Sequence, residues 1–177
     1  MSTVQISLDQ MIQSLLDSKK YTTLRDMLTT MNPADIAGVF CLLPDNSLPL
    51  LFRLLPKELA ADTFVEMDED SQELLIQGFS DRELKEVIDE LYVDDAVDLV
   101  EEMPATVVKR ILKQAAPDMR QMINEILKYP EDSAGSIMTT EYVNLWPQMT
   151  VSEALERIRK TGLDKETIYT CYDTAEN

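Results

Sequence analysis

Apolar side chains recur every twelve residues from about position 31 onward. One column consists of Phe40, Phe52, Phe64, Ile76, Ile88, Val100 and Leu112. A second column, three residues later, consists of Leu43, Leu55, Met67, Phe79, Leu91, Met103 and Ala115. A third column consists of Val39, Leu51, Thr63, Leu75, Val87, Leu99, Ile111 and Ile123. Each repeat therefore carries an apolar stripe at i, i+1 and i+4, which covers one face of about two helical turns.

Polar or proline-bearing breaks separate these stripes. Pro33, Pro44, Pro56 and Pro104 fall in or near the breaks, where the missing N–H is harmless at a helix start. Isolated helices shorter than about 12–15 residues are marginal in water, so the stripes must pack on one another. We predict a mainly α fold, a superhelix (solenoid) of short helices of right-handed type, although the spacing by itself does not set the hand. Upstream, Ser7 to Leu28 predicts two short helices.

The pattern changes after residue 129. Residues 142–145 alternate as a strand does, and Thr150 and Glu153 form a capping box that opens a helix ending near Gly162. Residues 167–172 are β-branched and aromatic, which predicts a second strand. A strand-helix-strand unit without further strands is an incomplete α/β domain. We therefore predict a helical domain at 1–129, a junction at 130–142, where Gly135 gives backbone freedom, and a partial domain at 143–177.

Charge and composition narrow the functions open to this chain. Its 177 residues carry 33 Asp and Glu against 16 Lys and Arg, a formal charge of -17, which disfavours nucleic acid and anionic membranes and favours cations or basic proteins. The sequence contains no His, so His-based catalysis and His-ligated zinc are excluded. The two cysteines, Cys41 and Cys171, are expected to be buried thiols in a reducing compartment. No apolar run approaches the ~20 residues that cross a bilayer, so we expect a soluble, cytosolic chain.

Acidic residues concentrate between Asp81 and Glu102. Asp94 and Asp98 are four residues apart on a predicted helix, so their carboxylates share a face and repel each other. Oxygen ligands without His or thiolate suit Mg²⁺ or Ca²⁺, and Mg²⁺ uses one or two carboxylates together with waters. A solvated acidic face near a helix N-terminus is the alternative interpretation. No Gly-rich phosphate loop occurs, and nothing indicates the cleft that paired catalytic carboxylates require, so we do not expect an enzyme.

Three segments together resemble the cytosolic part of the MgtE family of magnesium channels. They are residues 54–62, residues 94–104 and, most specifically, residues 129–143. The stretch from Thr150 to Tyr169 is similar to the start of that family's first CBS domain. The resemblance covers nearly the whole chain, and it implies a helical superhelix followed by CBS domains, a connecting helix and a membrane pore assembled as a homodimer. Only the first part and a piece of the second are present here.

The resemblance implies a weak regulatory Mg²⁺ function at the cytoplasmic face of the cell membrane. In the family, Mg²⁺ bridges acidic residues of the helical and CBS domains and favours the closed pore. The expected partners are magnesium ions and the remainder of the protein's own CBS and transmembrane domains. ATP at the CBS region would fit the family, although nothing in this chain supports it. The alternative is a soluble helical-repeat scaffold for protein interactions without ion sensing.

The expected metal ligands follow from the matching positions. Asp62 and Asp94 match positions that look like ligands in the family, Asp95 and Asp98 lie beside Asp94, and Ser136 is a further candidate. Ser136 stands where a second Gly is frequent, which matters little for a main-chain carbonyl ligand. After Tyr172 the sequence departs from the expected apolar strand. Because the partner residues of the CBS region lie beyond Asn177, complete bridging sites are not expected from this chain alone.

Overall fold

A computed structural model describes residues 7–130, 133–162, 165 and 168–173 of the chain. The described part is mainly helical, as predicted, with eleven α-helices, one 3-10 helix and two short strands. The α-helices are α1 Leu8–Asp17, α2 Tyr21–Leu28, α3 Pro33–Phe40, α4 Leu48–Phe52, α5 Lys57–Val65, α6 Glu69–Gly78, α7 Asp81–Ile88, α8 Val93–Glu102, α9 Ala105–Gln114, α10 Pro117–Ile126 and α11 Val151–Thr161. The 3-10 helix is Asp45–Ser47, and the strands are β1 Asn144–Leu145 and β2 Tyr172–Asp173.

The chain divides into two compact units. Unit 1 runs to Leu91 and includes Leu99–Ala116, whereas unit 2 comprises Tyr92–Asp98 and the chain from Pro117 onward. Helix α8 thus contributes its first six residues to unit 2 and the rest to unit 1.

The twelve-residue repeat sets where the helices begin. Helical elements start every twelve residues, at 21, 33, 45, 57, 69, 81, 93, 105 and 117, and α4 is an additional helix that starts between two of these positions, at 48. Every member of the three predicted apolar columns is buried except Leu112, which is half-buried. The prolines lie at the breaks, with Pro33 as the first residue of α3 and Pro44, Pro56 and Pro104 as N-caps. The repeat therefore specifies both the helix starts and the core.

Alternate helices stack in unit 1. Contacts join α3 to α5, α5 to α7 and α7 to α9, and a second set joins α4 to α6. Helices of 5 to 10 residues could not persist alone, and this stacking buries the apolar stripe of each against its neighbours. The short helices are therefore stabilised by tertiary packing rather than by their own propensity.

Arginines connect non-successive repeats of unit 1. The Arg53 guanidinium donates to Glu83 Oε1 at 2.6 Å and to the carbonyl of Gly78 at 3.3 Å. This bond and the Ser80 backbone N–H lower the pKa of Glu83 to about 2. Arg110 donates to the carbonyls of Ile76 and Phe79, which satisfies acceptors that the end of α6 leaves open. Side chains thus supply the hydrogen bonds that short helices cannot make internally.

Thr63 is the one polar member of the three columns. It is completely buried, and its Oγ1 has no hydrogen-bond partner within the described part of the chain. A buried hydroxyl without a partner costs about 1–3 kcal/mol. We expect Thr63→Val, which has nearly the same shape, to raise the free energy of unfolding by about 1 kcal/mol. Urea denaturation would measure this gain.

The matched control for this substitution is Thr106→Val. Thr106 is exposed on α9, so the same chemical change there should give no gain in stability. An equal gain in stability at both positions, or a loss at Thr63, would contradict this expectation. It would show that the buried Thr63 hydroxyl has a hydrogen-bond partner in solution and that the third column accommodates a polar side chain.

Unit 2 contains the predicted strand-helix-strand order. Strands β1 and β2 pair in parallel, with Asn144 opposite Tyr172 and Leu145 opposite Asp173, and α11 lies between them in the chain. The capping box of α11 is present, since Thr150 accepts from the backbone of Glu153 and Glu153 accepts from that of Thr150, and Gly162 is the C-cap. Arg157 on α11 lies 4.2 Å from the ring centroid of Trp146.

Both predicted strands were too long. Residues 142–143 lie outside β1, residues 168–171 lie outside β2, and Thr167 is not among the described residues. Arg157 donates to the carbonyl of Asn144 in β1 at 2.9 Å and to its side chain at 2.8 Å. A β-branched composition favours extended backbone, but a strand also needs a paired neighbour.

The prediction that both cysteines are buried was wrong. Cys41 is exposed and Cys171 is half-buried. Cys41 ends α3, beyond the apolar stripe, and its Sγ lies 2.8 Å from Asp68 Oδ2. Partial burial, together with the hydrogen bond and charge of Asp68, raises the pKa of the Cys41 thiol. Both thiols are free, as predicted.

Gly135 is required for space rather than for backbone freedom. None of the described glycines has a positive φ, so the expectation of an unusual backbone at Gly135 was wrong. A Cβ on Gly135 would lie 2.3 Å from Cδ1 of Tyr129. Glycine is therefore the residue that lets the chain pass close to this aromatic ring.

Candidate metal site

Asp94 and Asp98 form an acidic pair on the first half of α8, within unit 2. Asp94 is half-buried, and its Oδ1 is buried with no hydrogen-bond partner among the described residues. Asp98, one turn further on, is exposed. Its pKa is raised, first by partial burial of its carboxyl group and then by the charge of Asp94. The structure thus brings these two predicted ligands together on one face of a helix.

The electrostatics of this pair favour a cation. A carboxylate oxygen that is removed from water without a donor is destabilising, and the raised pKa of Asp98 shows that a second negative charge adds to that cost. Protonation relieves the cost as the pH falls through the raised pKa, and a divalent cation relieves it at neutral pH. The orphaned Oδ1 of Asp94 fits a hard-cation ligand, because Mg²⁺ binds through one or two carboxylates and retained waters.

Asp95 is placed differently from this pair. It is half-buried and directly follows Asp94 in the first turn of α8. Consecutive side chains leave a helix about 100° apart, so Asp95 does not share the face of Asp94 and Asp98.

Asp62 belongs to unit 1 and has acidic neighbours of its own. It is exposed on α5, and partial burial of its carboxyl group followed by the charges of Glu58 and Glu90 raises its pKa. Glu90 is also bound by Lys57. The Glu58 and Asp62 pair repeats the i, i+4 spacing of Asp94 and Asp98, so sequence spacing could have identified Glu58. Glu90 lies in the turn after α7, and its position in the sequence gives no indication that it is near Asp62.

Ser136 lies in the segment between α10 and β1. It is half-buried, and its hydroxyl donates to the carbonyl of Ser133 at 2.9 Å. The backbone N–H of Ser136 donates to the same carbonyl at 3.1 Å. The side chain is therefore engaged locally, which leaves the main-chain carbonyl as the group that Ser136 would offer to a cation.

Glu141 is a functional candidate that sequence reasoning missed. Its Oε2 accepts a hydrogen bond of 2.9 Å from the backbone N–H of Val93, the first residue of α8. The two residues are 48 positions apart in the chain, so no local motif reports their contact. The sequence offers only an indirect indication of this contact. Tyr92 directly precedes α8, at a position where helices prefer a short polar N-cap residue.

The described residues hold no complete metal site. Among them, no group of three or more Cys, Asp or Glu side chains is arranged to hold a metal ion. A metal ion at the α8 pair would therefore need water or oxygen ligands from elsewhere. The helices that the structure describes also include none with the length and apolar character needed to cross a membrane.

These features define a helical-repeat domain in which helix α8 carries an acidic pair. The family model described as the MgtE intracellular N domain matches residues 9–132, and the chain belongs to the MgtE family. It is 30% identical over 165 residues to the magnesium transporter MgtE of Thermus thermophilus, covering 91% of this chain and 36% of that protein. It is 23% identical over 158 residues to the magnesium transporter MgtE of Bacillus subtilis, covering 89% of this chain and 35% of that protein.

Two solved structures share the fold. The crystal structure of the cytosolic domain of the Mg²⁺ channel MgtE in complex with ATP matches with a TM-score of 0.86 and 29% identity, over 96% of this chain and 69% of that one. The crystal structure of the soluble part of a magnesium transporter matches with a TM-score of 0.80, over 95% and 66%; at 22% identity it shows the fold alone. The chain spans about a third of the length of the two MgtE transporters, 36% and 35%. These relatives are transport proteins rather than enzymes.

Proposed function

We propose that this chain is the Mg²⁺-sensing regulatory region of a magnesium channel or transporter, at the cytoplasmic face of the membrane. The observation that carries the proposal is the acidic pair on α8, in which Asp94 Oδ1 is buried without a partner among the described residues and Asp98 has a raised pKa. Membership of the MgtE family supports the same function. Asp94 and Asp98 would be the main ligands, and Asp95 would strengthen the local negative field.

The proposed mechanism is charge neutralisation between two acidic surfaces. A chain with a formal charge of -17 can dock on another acidic surface only when counter-ions neutralise both. Mg²⁺ would bridge Asp62 and the α8 pair to oxygen ligands of the CBS region, with the Ser136 carbonyl as a further ligand, and thereby favour the closed pore. When Mg²⁺ falls, repulsion would separate the surfaces and favour opening.

The energy needed is modest. A site with millimolar affinity corresponds to about 4 kcal/mol at the standard state. Coupling free energies of about 1–3 kcal/mol between sites are typical of allosteric proteins. Several weak sites that fill near their dissociation constants would therefore bias the pore by a few kcal/mol and respond to millimolar Mg²⁺.

The rest of the proposed organisation follows from the family. We propose that residues 1–129 form the regulatory helical domain, that 130–142 form a junction and that 143–177 begin the first CBS domain, for which the parallel pairing of β1 and β2 is the support. The full-length protein would be a homodimer. One matched structure is of a relative in complex with ATP, and we propose a role for ATP only in the longer protein.

Mg²⁺-dependent compaction tests this function. In a form of the protein extended through both CBS domains, millimolar Mg²⁺ is expected to reduce the radius of gyration in small-angle scattering and to slow proteolysis of the junction. Asp62→Ala with Asp94→Ala should shift this response to higher Mg²⁺. The absence of any Mg²⁺-dependent change in the millimolar range would instead favour a helical-repeat interaction scaffold.

A further inference from the structure

The amino end of α8 is capped by a residue from the segment that follows α10. Other helices of the repeat carry their own cap: Asn32, Asp68 and Ser80 each accept a hydrogen bond from a backbone N–H three residues later. At α8 the N–H of the first helical residue, Val93, donates to Glu141, which is 48 positions away in the chain. The acidic helix is thus a repeat whose first turn receives its capping acceptor from a distant segment.

Glu141 is held firmly enough to act as a cap. Its own backbone N–H donates to Thr139 Oγ1 at 3.1 Å, and the neighbouring Thr140 hydroxyl lies 3.8 Å from the sulfur of Met122 on α10. Val143, two residues further on, is buried with 1% of its surface exposed. Glu141 therefore projects from a segment that is anchored on both sides and belongs to the same unit as the start of α8.

The position of this cap relates it to the acidic pair. Asp94 directly follows Val93, so the hydrogen bond from Val93 to Glu141 fixes the backbone of the turn that carries Asp94. A carboxylate at a helix N-terminus is favoured by the helix dipole, and a hydrogen bond to a charged acceptor is stronger than a neutral one. Loss of this bond would let the first turn of α8 fray and would move Asp94 relative to Asp98.

We propose that Glu141 is a positioning residue for the cation pair on α8. By holding Val93, it presents Asp94 and Asp98 together, so that divalent cation binding on α8 and the attachment of the 133–143 segment to α8 stabilise each other. Linkage requires this effect to be reciprocal: the cation strengthens the cap, and the cap strengthens cation binding. This inference rests on the proposed Mg²⁺ function. It identifies the hydrogen bond from Val93 to Glu141 as the link between the acidic pair on α8 and the junction.

The test combines two measurements on the protein extended through both CBS domains: hydrogen exchange of the Val93 amide and the Mg²⁺ concentration at half-saturation. Three variants separate the hydrogen bond from the charge. Glu141→Gln keeps the acceptor and loses the charge, Glu141→Asp keeps the charge and shortens the reach, and Glu141→Ala loses both. Glu156→Ala, an exposed position on α11 in the same unit, is the control for loss of one negative charge.

We expect Glu141→Ala and Glu141→Asp to speed exchange at Val93 about tenfold and to raise the half-saturating Mg²⁺ concentration about three- to tenfold. Glu141→Gln and Glu156→Ala should leave both within about threefold of the wild type. In the wild type, Mg²⁺ should slow exchange at Val93. Rescue by Gln but not by Asp would assign the effect to the hydrogen bond.

Two results would overturn the inference while leaving the proposed function intact. Unchanged exchange at Val93 in Glu141→Ala would show that the cap does not hold α8 in solution. Faster exchange with an unchanged Mg²⁺ requirement would show that the cap is structural only. Failure of the wild type to bind Mg²⁺ at all would reject the proposed function and this inference together, and that outcome is visible before any variant is made.

Discussion

Replacing Leu75 by alanine is expected to lower the free energy of unfolding by about 2–5 kcal/mol. Leu75 is a central member of the third column on α6 and is completely buried. Its removal takes away apolar contacts and leaves a cavity in a layer where each short helix depends on its neighbours. A loss of this size is a large share of the roughly 5–15 kcal/mol that stabilises a typical domain.

Leu112→Ala is the matched control because it makes the same chemical change in the same repeat array. Leu112 is the one column member that is half-buried, so we expect a loss of about 1 kcal/mol or less. Chemical denaturation followed by circular dichroism measures both. Equal losses of stability at the two positions would contradict the claim that burial determines the contribution of each column member. Membership of a column alone would then predict the loss.

The second large effect is expected in the full-length form of the proposed channel. Replacing Asp94 and Asp98 together by asparagine should raise the cytoplasmic Mg²⁺ concentration that half-closes the pore about tenfold, which corresponds to about 1.4 kcal/mol. The substitution removes the buried oxygen of Asp94, which has no hydrogen-bond partner among the described residues, as an anionic ligand. It also removes the carboxylate of Asp98, whose pKa is raised first by burial and then by the charge of Asp94. Without these anionic ligands Mg²⁺ binds the closed state more weakly, so the open state persists at higher Mg²⁺.

A control is needed because Mg²⁺ also screens the general charge of a chain with a formal charge of -17. Asp26→Asn with Asp118→Asn removes the same number of charges at exposed positions on α2 and α10. We expect this pair to leave the Mg²⁺ requirement within about twofold of the wild type. A comparable shift in both double variants would mean that the response depends on net charge rather than on the α8 pair.

The sequence predicts the core well because every repeat uses the same physics. Each twelve-residue unit carries the same apolar stripe, so the burial of a position on α6 predicts the burial of the equivalent positions on α5 and α7. The columns identified the buried residues, and the breaks identified the helix starts near Pro33 and Pro104. Local capping signals at Thr150 and Glu153 also specified α11.

What the sequence misses depends on contacts between distant segments. The strands near residues 144 and 172 are two residues long because their extent is set by pairing rather than by composition. Cys41 follows apolar neighbours yet lies beyond the buried stripe, against Asp68. Glu141 caps a helix 48 positions earlier. None of these contacts produces a periodic pattern in the sequence, so only the tertiary structure shows them.

The candidate metal site was likewise predictable where it depends on helical spacing and not where it depends on tertiary contacts. The i, i+4 spacing predicted that Asp94 and Asp98 share a face, and the effect of Asp94 on the pKa of Asp98 is consistent with it. The same rule applied to Asp62 would have added Glu58, whereas the burial of Asp94 Oδ1 is invisible in the sequence. Helical spacing places carboxylates together, but only the fold determines which oxygen atoms lose their water.

The most direct test of Mg²⁺ sensing is the current through the full-length protein in excised membrane patches, recorded while Mg²⁺ at the cytoplasmic side is varied. We expect millimolar Mg²⁺ to close the wild-type pore and about tenfold more to be needed for Asp94→Asn with Asp98→Asn. The account is contradicted if the double variant closes at the same Mg²⁺ concentration as the wild type.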